Sequence, residues 1–332
     1  MRARTPIAVA AALLFAAALV AVLVAGASAA LGPYPPLGSC SVFPQPPAAT
    51  GTGAASLPDE SAWNQDISGA PVDPNSDAYI SYINSHGGDA LHPDFGSPRE
   101  YGFPYAVVGK KAKKTKIHFT AYGAESDHGT YRIPRRAPVE GGNGSDGDRH
   151  VLVVDRARCH LYELYRAFNK GKRRWNADQA TNWDLRSAGL RSDGFTSADA
   201  AGLPIFPGLV RYDEVAAGAI HHAIRVTVDS TQDAWIHPAS HCAGDTSSAS
   251  APPMGLRLRL KASYDIGSIQ GPAHVIAVAL KQYGFIVADN GSNWFFSGTS
   301  DRRWPDENLN QLKAIPGSAF EVVRSQASIQ RC

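Results

Sequence analysis

Between His150 and Ala167 the chain reads H-V-L-V-V-D-R-A-R-C-H-L-Y-E-L-Y-R-A. Two runs of strong β formers flank Arg156-Ala157-Arg158, a short polar turn, so the segment is expected to be a hairpin. Apolar residues fall on both faces of each run, the pattern of central strands covered on both sides. Further along, Met254 to Lys261 (M-G-L-R-L-R-L-K) alternates strictly. A period of two places Leu256, Leu258 and Leu260 on one face of a strand and Arg257, Arg259 and Lys261 on the other, expected to be wetted.

Shorter β-prone runs surround these two, at Tyr105 to Val108, Ile117 to Tyr122, Ala223 to Val228, Ala234 to Ile236 and Phe320 to Val323. Phe285 to Ala288 and Trp294 to Phe296 flank Asp289-Asn290-Gly291-Ser292, and Asn-Gly between β runs predicts a second hairpin. Helices are few. Asp77 to Ser85 stops at Gly87-Gly88, Pro272 to Tyr283 carries an apolar stripe and ends at Gly284, and a late helix is expected over Glu307 to Ile315. Many short strands without a βαβ rhythm predict a mainly β fold. The expected form is a large β-sandwich or jelly-roll-like single domain over 61–332, with a few peripheral helices.

The N-terminus has the form of an export signal over 1–29. Arg2 and Arg4 precede an apolar run from Ile7 to Val24, and Ala27-Ser28-Ala29 suits cleavage. A Pro/Gly/Ala-rich arm follows over 30–60. The expected product is secreted, extracellular and free of the membrane once the signal is cut. Four cysteines (Cys40, Cys159, Cys242, Cys332) then suggest two disulfides. Three pairings are open to four cysteines; the expected one ties Cys40 to Cys332 and Cys159 to Cys242. Net charge is +2, so bulk electrostatics favour no partner and nucleic acid is not indicated. Lys110 to Lys116 is a local basic run, expected to be a solvated loop leading into a strand.

The chemistry is expected to centre on Asp193 to Glu214, D-G-F-T-S-A-D-A-A-G-L-P-I-F-P-G-L-V-R-Y-D-E. Gly202, Pro204, Pro207 and Gly208 rule out one continuous helix, while Leu203, Ile205, Phe206, Leu209 and Val210 provide apolar surface to bury. A rigid apolar floor with acids at both rims suits a polar substrate. The chain has no G-x-S-x-G, H-E-x-x-H, Walker A or G-x-G-x-x-G motif, and no cysteine spacing for zinc. No metal or cofactor is expected.

Acids near aromatic residues suit sugar chemistry, in which one carboxyl protonates the leaving oxygen and another activates water or attacks carbon. Asp199 and Glu214 are the preferred acid/base pair, Asp148 and Asp289 the reserves, and His150 or His222 a proton shuttle. Arg257 and Arg259 would receive an acidic group of the substrate, and Trp294 and Trp304 its ring faces. The strings G-D-R-H-V-L-V-V-D, T-S-A-D-A-A-G-L-P-I-F-P-G-L-V-R-Y-D-E-V, M-G-L-R-L-R-L-K-A-S and Y-G-F-I-V-A-D-N-G resemble a family of secreted bacterial hypothetical proteins. That resemblance spans about Trp63 to Val323 and implies one unit; it carries no activity. The expected function is therefore a secreted carbohydrate-active enzyme acting on an extracellular polysaccharide, either a glycoside hydrolase or a polysaccharide lyase. The alternative is a non-catalytic glycan-binding or cell-surface protein.

Overall fold

The computed structural model describes residues 32–40, 42, 59–96, 101–187 and 189–332, with side chains from 62 onward in the second of the longer segments. The export signal over 1–29 and most of the arm over 30–60 lie outside them. Among the described residues no helix is long and apolar enough to cross a membrane.

Strand outweighs helix. The strands are β1 (Tyr105–Val108), β2 (Lys116–Phe119), β3 (Val151–Asp155), β4 (His160–Tyr165), β5 (Phe168–Asn169), β6 (Arg174–Ala177), β7 (Gln179–Asp184), β8 (Ile224–Val228), β9 (Ala234–Trp235), β10 (Arg257–Leu260), β11 (Phe285–Asn290), β12 (Phe320–Val322) and β13 (Gln330–Arg331). The helices are α1 (Ser76–Ser85), α2 (Tyr212–Ala217), α3 (Gly271–Gln282) and α4 (Asp306–Leu309), the last continued by a 3-10 turn over Asn310–Ala314. Two four-stranded sheets dominate, ordered β1-β3-β4-β7 and β12-β10-β11-β8, beside the smaller sheets β2-β6-β5 and β13-β9. Each four-stranded sheet contains one parallel pair, β1 with β3 and β8 with β11, so both are mixed where a jelly roll would be wholly antiparallel.

The hairpin expected over His150 to Ala167 is β3 with β4, paired antiparallel from Val151 opposite Leu164 to Asp155 opposite His160. Its strands feed two cores by alternation. Leu152, Val154 and Leu161 join the main core, which also takes Ile224, Val226, Leu258, Phe285 and Val287 from the second sheet. Val151, Val153, Tyr162 and Leu164 join a smaller core with Tyr131 and Trp175. Each fully buried Val or Leu contributes roughly 1.5–3 kcal/mol, so this hairpin anchors both halves of the packing.

Four expectations are corrected. The Asn290-Gly291 segment does not close a hairpin. β11 runs on to Asn290 beside β8, and the following chain bridges Phe296 to Val226 and Phe295 to His92. The cationic face of β10 is not wetted: Arg257 donates to the carbonyls of Ala62 and Tyr283, and Arg259 to that of Ser68 and to Glu321. The 62–68 segment lies over that face and uses its cations as carbonyl partners, so Arg257 and Arg259 are not available to a substrate. The disulfides join Cys40 to Cys159 and Cys242 to Cys332, with Cα separations of 5.3 and 6.6 Å. Pairing β13 with β9 carries Cys332 to the Cys242 region, while the arm reaches the β3–β4 turn instead. The arm also has a second anchor besides Cys40, because the Tyr34 ring stacks 3.7 Å from that of Tyr105 and its hydroxyl donates to the Ser300 carbonyl at 2.5 Å.

Candidate active site

The Asp193 to Glu214 stretch folds as an irregular floor, with Ala201 to Arg211 buried throughout. Glycine shapes it where no side chain fits. Gly202 has φ +73°, and a Cβ there would lie 2.7 Å from the Phe195 carbonyl oxygen. Ser197 pins the bend by donating to the Leu203 carbonyl at 2.5 Å and accepting from the Asp199 N–H at 2.9 Å. From below, Glu163 of β4 takes the N–H of Phe206 at 2.8 Å and of Ile205 at 3.0 Å. Alternation along β4 explains that placement, since Glu163 shares the inward face with Leu161.

Above this floor five segments bring charges together. Arg225 of β8 donates to Asp199 Oδ1 through Nη2, stands 3.5 Å from Asp289 Oδ2 through the same nitrogen, and donates to Ser297 Oγ at 2.8 Å through Nη1. Its guanidinium also lies over the Phe103 ring, 5.4 Å from the centroid. Asp289 reaches this face through a β-bulge. Val287 pairs with Val226, and after the irregularity Asp289 pairs with Thr227, which shares its face with Arg225. Unbroken alternation would have kept Asp289 on the apolar face with Val287.

His150, just ahead of β3, completes the group. Its Nδ1 lies 2.6 Å from Glu140 Oε2 and its Nε2 2.9 Å from the Ala198 carbonyl oxygen. Both partners are acceptors, so both ring nitrogens donate and the ring is an imidazolium. Burial alone would lower its pKa; Glu140 beside it outweighs that and holds it at about 9. Conversely, burial would raise Glu140, but His150 keeps it below the usual carboxylate range. Asp199 is pushed up to about 7, chiefly by burial and also by Asp289, against the pull of Arg225. Asp289 is raised for the same reason. Asp148 is exposed, and its charge acts on both His150 and Asp289.

Access divides the carboxyls. The Asp199 side chain is 0% exposed, whereas those of Asp289 and Glu140 are 29% and 20% exposed. Asp199 therefore holds Arg225 from beneath, and its Oδ2 has no hydrogen-bond partner. Glu214 falls in a different ion-pair group. It meets Arg211 through Oε1 and His222 Nε2 at 3.2 Å through Oε2, and this pairing keeps its pKa low against the effect of burial. His222 also gives its other nitrogen to the Ala223 carbonyl at 2.7 Å. Together these contacts fasten α2 to the floor.

Trp294 and Trp304 are 0% and 7% exposed and belong to the core, so neither offers a ring face to a substrate. Trp63, Trp175, Trp183 and Trp235 are buried as well, which encloses every tryptophan of the chain. The residue that sequence reasoning missed is Arg225. Its signal was a lone cation in the apolar strand I-R-V-T-V, where a buried charge demands partners. Glu140 was missed as well. Beside the floor lies a cleft of about 340 Å³, lined by Asp127, Trp183, Asp184, Leu190, Arg191 and Phe195 among others. Phe195 stands three residues before Ala198, whose carbonyl meets His150. No family model, curated protein or solved structure matches the chain.

Proposed function

We propose that this chain is a secreted carbohydrate-active enzyme that hydrolyses glycosidic bonds of an extracellular polysaccharide, with Asp289 as general acid and Glu140 as its carboxylate partner. The supporting observation is the pair itself. Two partly exposed carboxyls bracket one buried cation pair, and their surroundings push their pKa values in opposite directions. A carboxyl whose proton affinity is raised by burial near one whose proton affinity is lowered by an imidazolium is the kind of asymmetry that the acid and the base of a glycoside hydrolase use. Asp289 donates its proton to the leaving oxygen. Glu140, held by His150, attacks the sugar carbon or deprotonates the attacking water. Arg225 and Asp199 are positioning residues that set the charge state of Asp289.

A lyase reaction with His150 as its base is disfavoured, because both nitrogens of His150 already carry protons toward acceptors. The binding-module reading is weakened by the burial of all tryptophans, the residues such surfaces use to stack sugar rings. The sandwich expectation goes with the enzyme reading: both four-stranded sheets contribute to one core, as facing layers would.

The test is reducing-end release from a panel of polysaccharides by wild type, Asp289→Asn, Glu140→Gln and Glu214→Gln. Loss of at least about 100-fold in the first two, with Glu214→Gln nearly unchanged, is expected from the removal of an acid or base. Full activity in both Asp289→Asn and Glu140→Gln would sink the assignment.

A further inference from the structure

The basic run Lys110 to Lys116 is not alone. Thr115 N–H donates to the Tyr131 carbonyl at 2.8 Å and Thr115 Oγ1 to that of Ile133 at 2.9 Å, which brings the 131–137 segment, with Arg135 and Arg136, alongside it. On the other side Lys116 pairs with Arg174 in the parallel β2–β6 ladder, and Asn169 of β5 donates to the Arg135 carbonyl at 2.5 Å. Three segments distant in sequence therefore build one surface, 110–116, 131–137 and 168–175. They hold twelve of the 32 Lys and Arg of the chain and none of its 30 Asp and Glu.

Eleven of the twelve are exposed; the twelfth, Arg132, is half-buried and paired with Asp155. No ion pair is formed by the other eleven among the described residues. At the tip of the β5–β6 turn, Gly171, Lys172 and Arg173 all have positive φ, at 70°, 46° and 58°. Non-glycine residues rarely adopt that conformation, and strain of this kind concentrates at functional sites. A net charge of +2 conceals this separation.

We propose that this face binds an acidic polysaccharide, a chain bearing repeated carboxylate or sulfate groups. Charge complementarity requires an extended polyanion, because the cations are spread over three segments rather than gathered into one pocket. A glycan fits better than a single-stranded nucleic acid. Unstacked bases need open aromatic faces, and the one exposed aromatic of these segments, Phe168, lies under the Arg149 guanidinium at 4.3 Å. The proposal does not depend on the acid/base assignment of Asp289 and Glu140.

The test is equilibrium binding of the full chain to polygalacturonate, heparin, neutral dextran and a DNA duplex, at about 50 and 200 mM salt. Binding to at least one acidic glycan and not to dextran is expected, weakened about 10-fold or more by the higher salt as counterions compete. Replacing Lys110, Lys111, Lys113 and Lys114 by Ala together should weaken it about 10-fold, and so should replacing Lys170, Lys172 and Arg174 by Ala. Arg302→Ala with Arg324→Ala, outside this face, should bind as wild type does. Thermal melts verify that each variant is folded. No binding to either acidic glycan at the lower salt, tighter binding to the duplex than to both glycans, or a loss confined to one of the two multiple variants overturns the proposal.

Discussion

Glu163 lies wholly inside the protein, with the N–H groups of Ile205 and Phe206 and the indole of Trp183 pointed at its carboxyl. Burial dominates even so, and its pKa rises to about 7. A folded value above the unfolded one of ~4.5 means that this group stabilises the fold below that pH and loses the contribution as pH rises through about 7. Wild-type stability should therefore decline between about pH 5 and 8, by up to ~3 kcal/mol from this residue. Glu163→Gln removes that dependence, and its deficit relative to wild type should narrow across the same range. Denaturant midpoints of both proteins at pH 5 and pH 8 check this; parallel pH slopes would show that other groups govern. Glu163 could not be singled out in the sequence. Its strand was legible, but which of its faces met an irregular loop was not. Asp289 was picked out as a candidate but for the tip of a hairpin that does not form, and only the bulge explains why it meets Arg225.

Strands were legible where β-branched and apolar residues cluster, as in β3, β4, β8 and β11, and helices where the apolar stripe was clear, as in α1 and α3. β6 and β7 went unread because R-W-N-A and Q-A-T-N-W-D carry polar residues that the sheet buries, Gln179 and Thr181 among them. The floor was recognised as buried and non-helical from its Gly and Pro, and its backbone depends on them. Gly202→Ala would combine a left-handed φ with a Cβ 2.7 Å from a carbonyl oxygen. The expected loss is roughly 3 kcal/mol. A chemical-denaturation curve reads it directly, and a loss under about 0.5 kcal/mol would mean that the floor relaxes around the methyl group. Asp289→Asn provides a contrast, because it changes charge in a partly exposed position without disturbing the floor.

Over the whole molecule, the even cysteine count was legible and the pairing was not. Sequence separation carries no information about which strands become neighbours. Cys40 and Cys159 close a span of 119 residues, and Cys242 and Cys332 one of 90. Loops of that length make each bond worth ~2–5 kcal/mol, mostly by restricting the unfolded chain. Replacing Cys40 and Cys159 together by Ser should lower stability by that amount. Peptide mapping without reduction should recover Cys40 linked to Cys159; recovery of Cys40 linked to Cys332 would reject the pairing. The charge separation between the basic face and the rest was hidden for the same topological reason, since only β2 in this face follows directly from the lysine run.

The enclosure of all the tryptophans has an optical consequence. Every indole is buried, Trp183 alone of them lining the cleft, so the intrinsic emission of the native protein is set mainly by its interior and iodide in the buffer should quench it weakly. Unfolding moves all of them into water at once, giving a red shift with little background. A sugar bound away from the cleft that Trp183 lines touches none of them and leaves the emission unchanged. Tryptophan fluorescence is thus a reporter of folding in this protein that is blind to a ligand on the basic face, and both properties can be followed in one sample by pairing it with a labelled glycan.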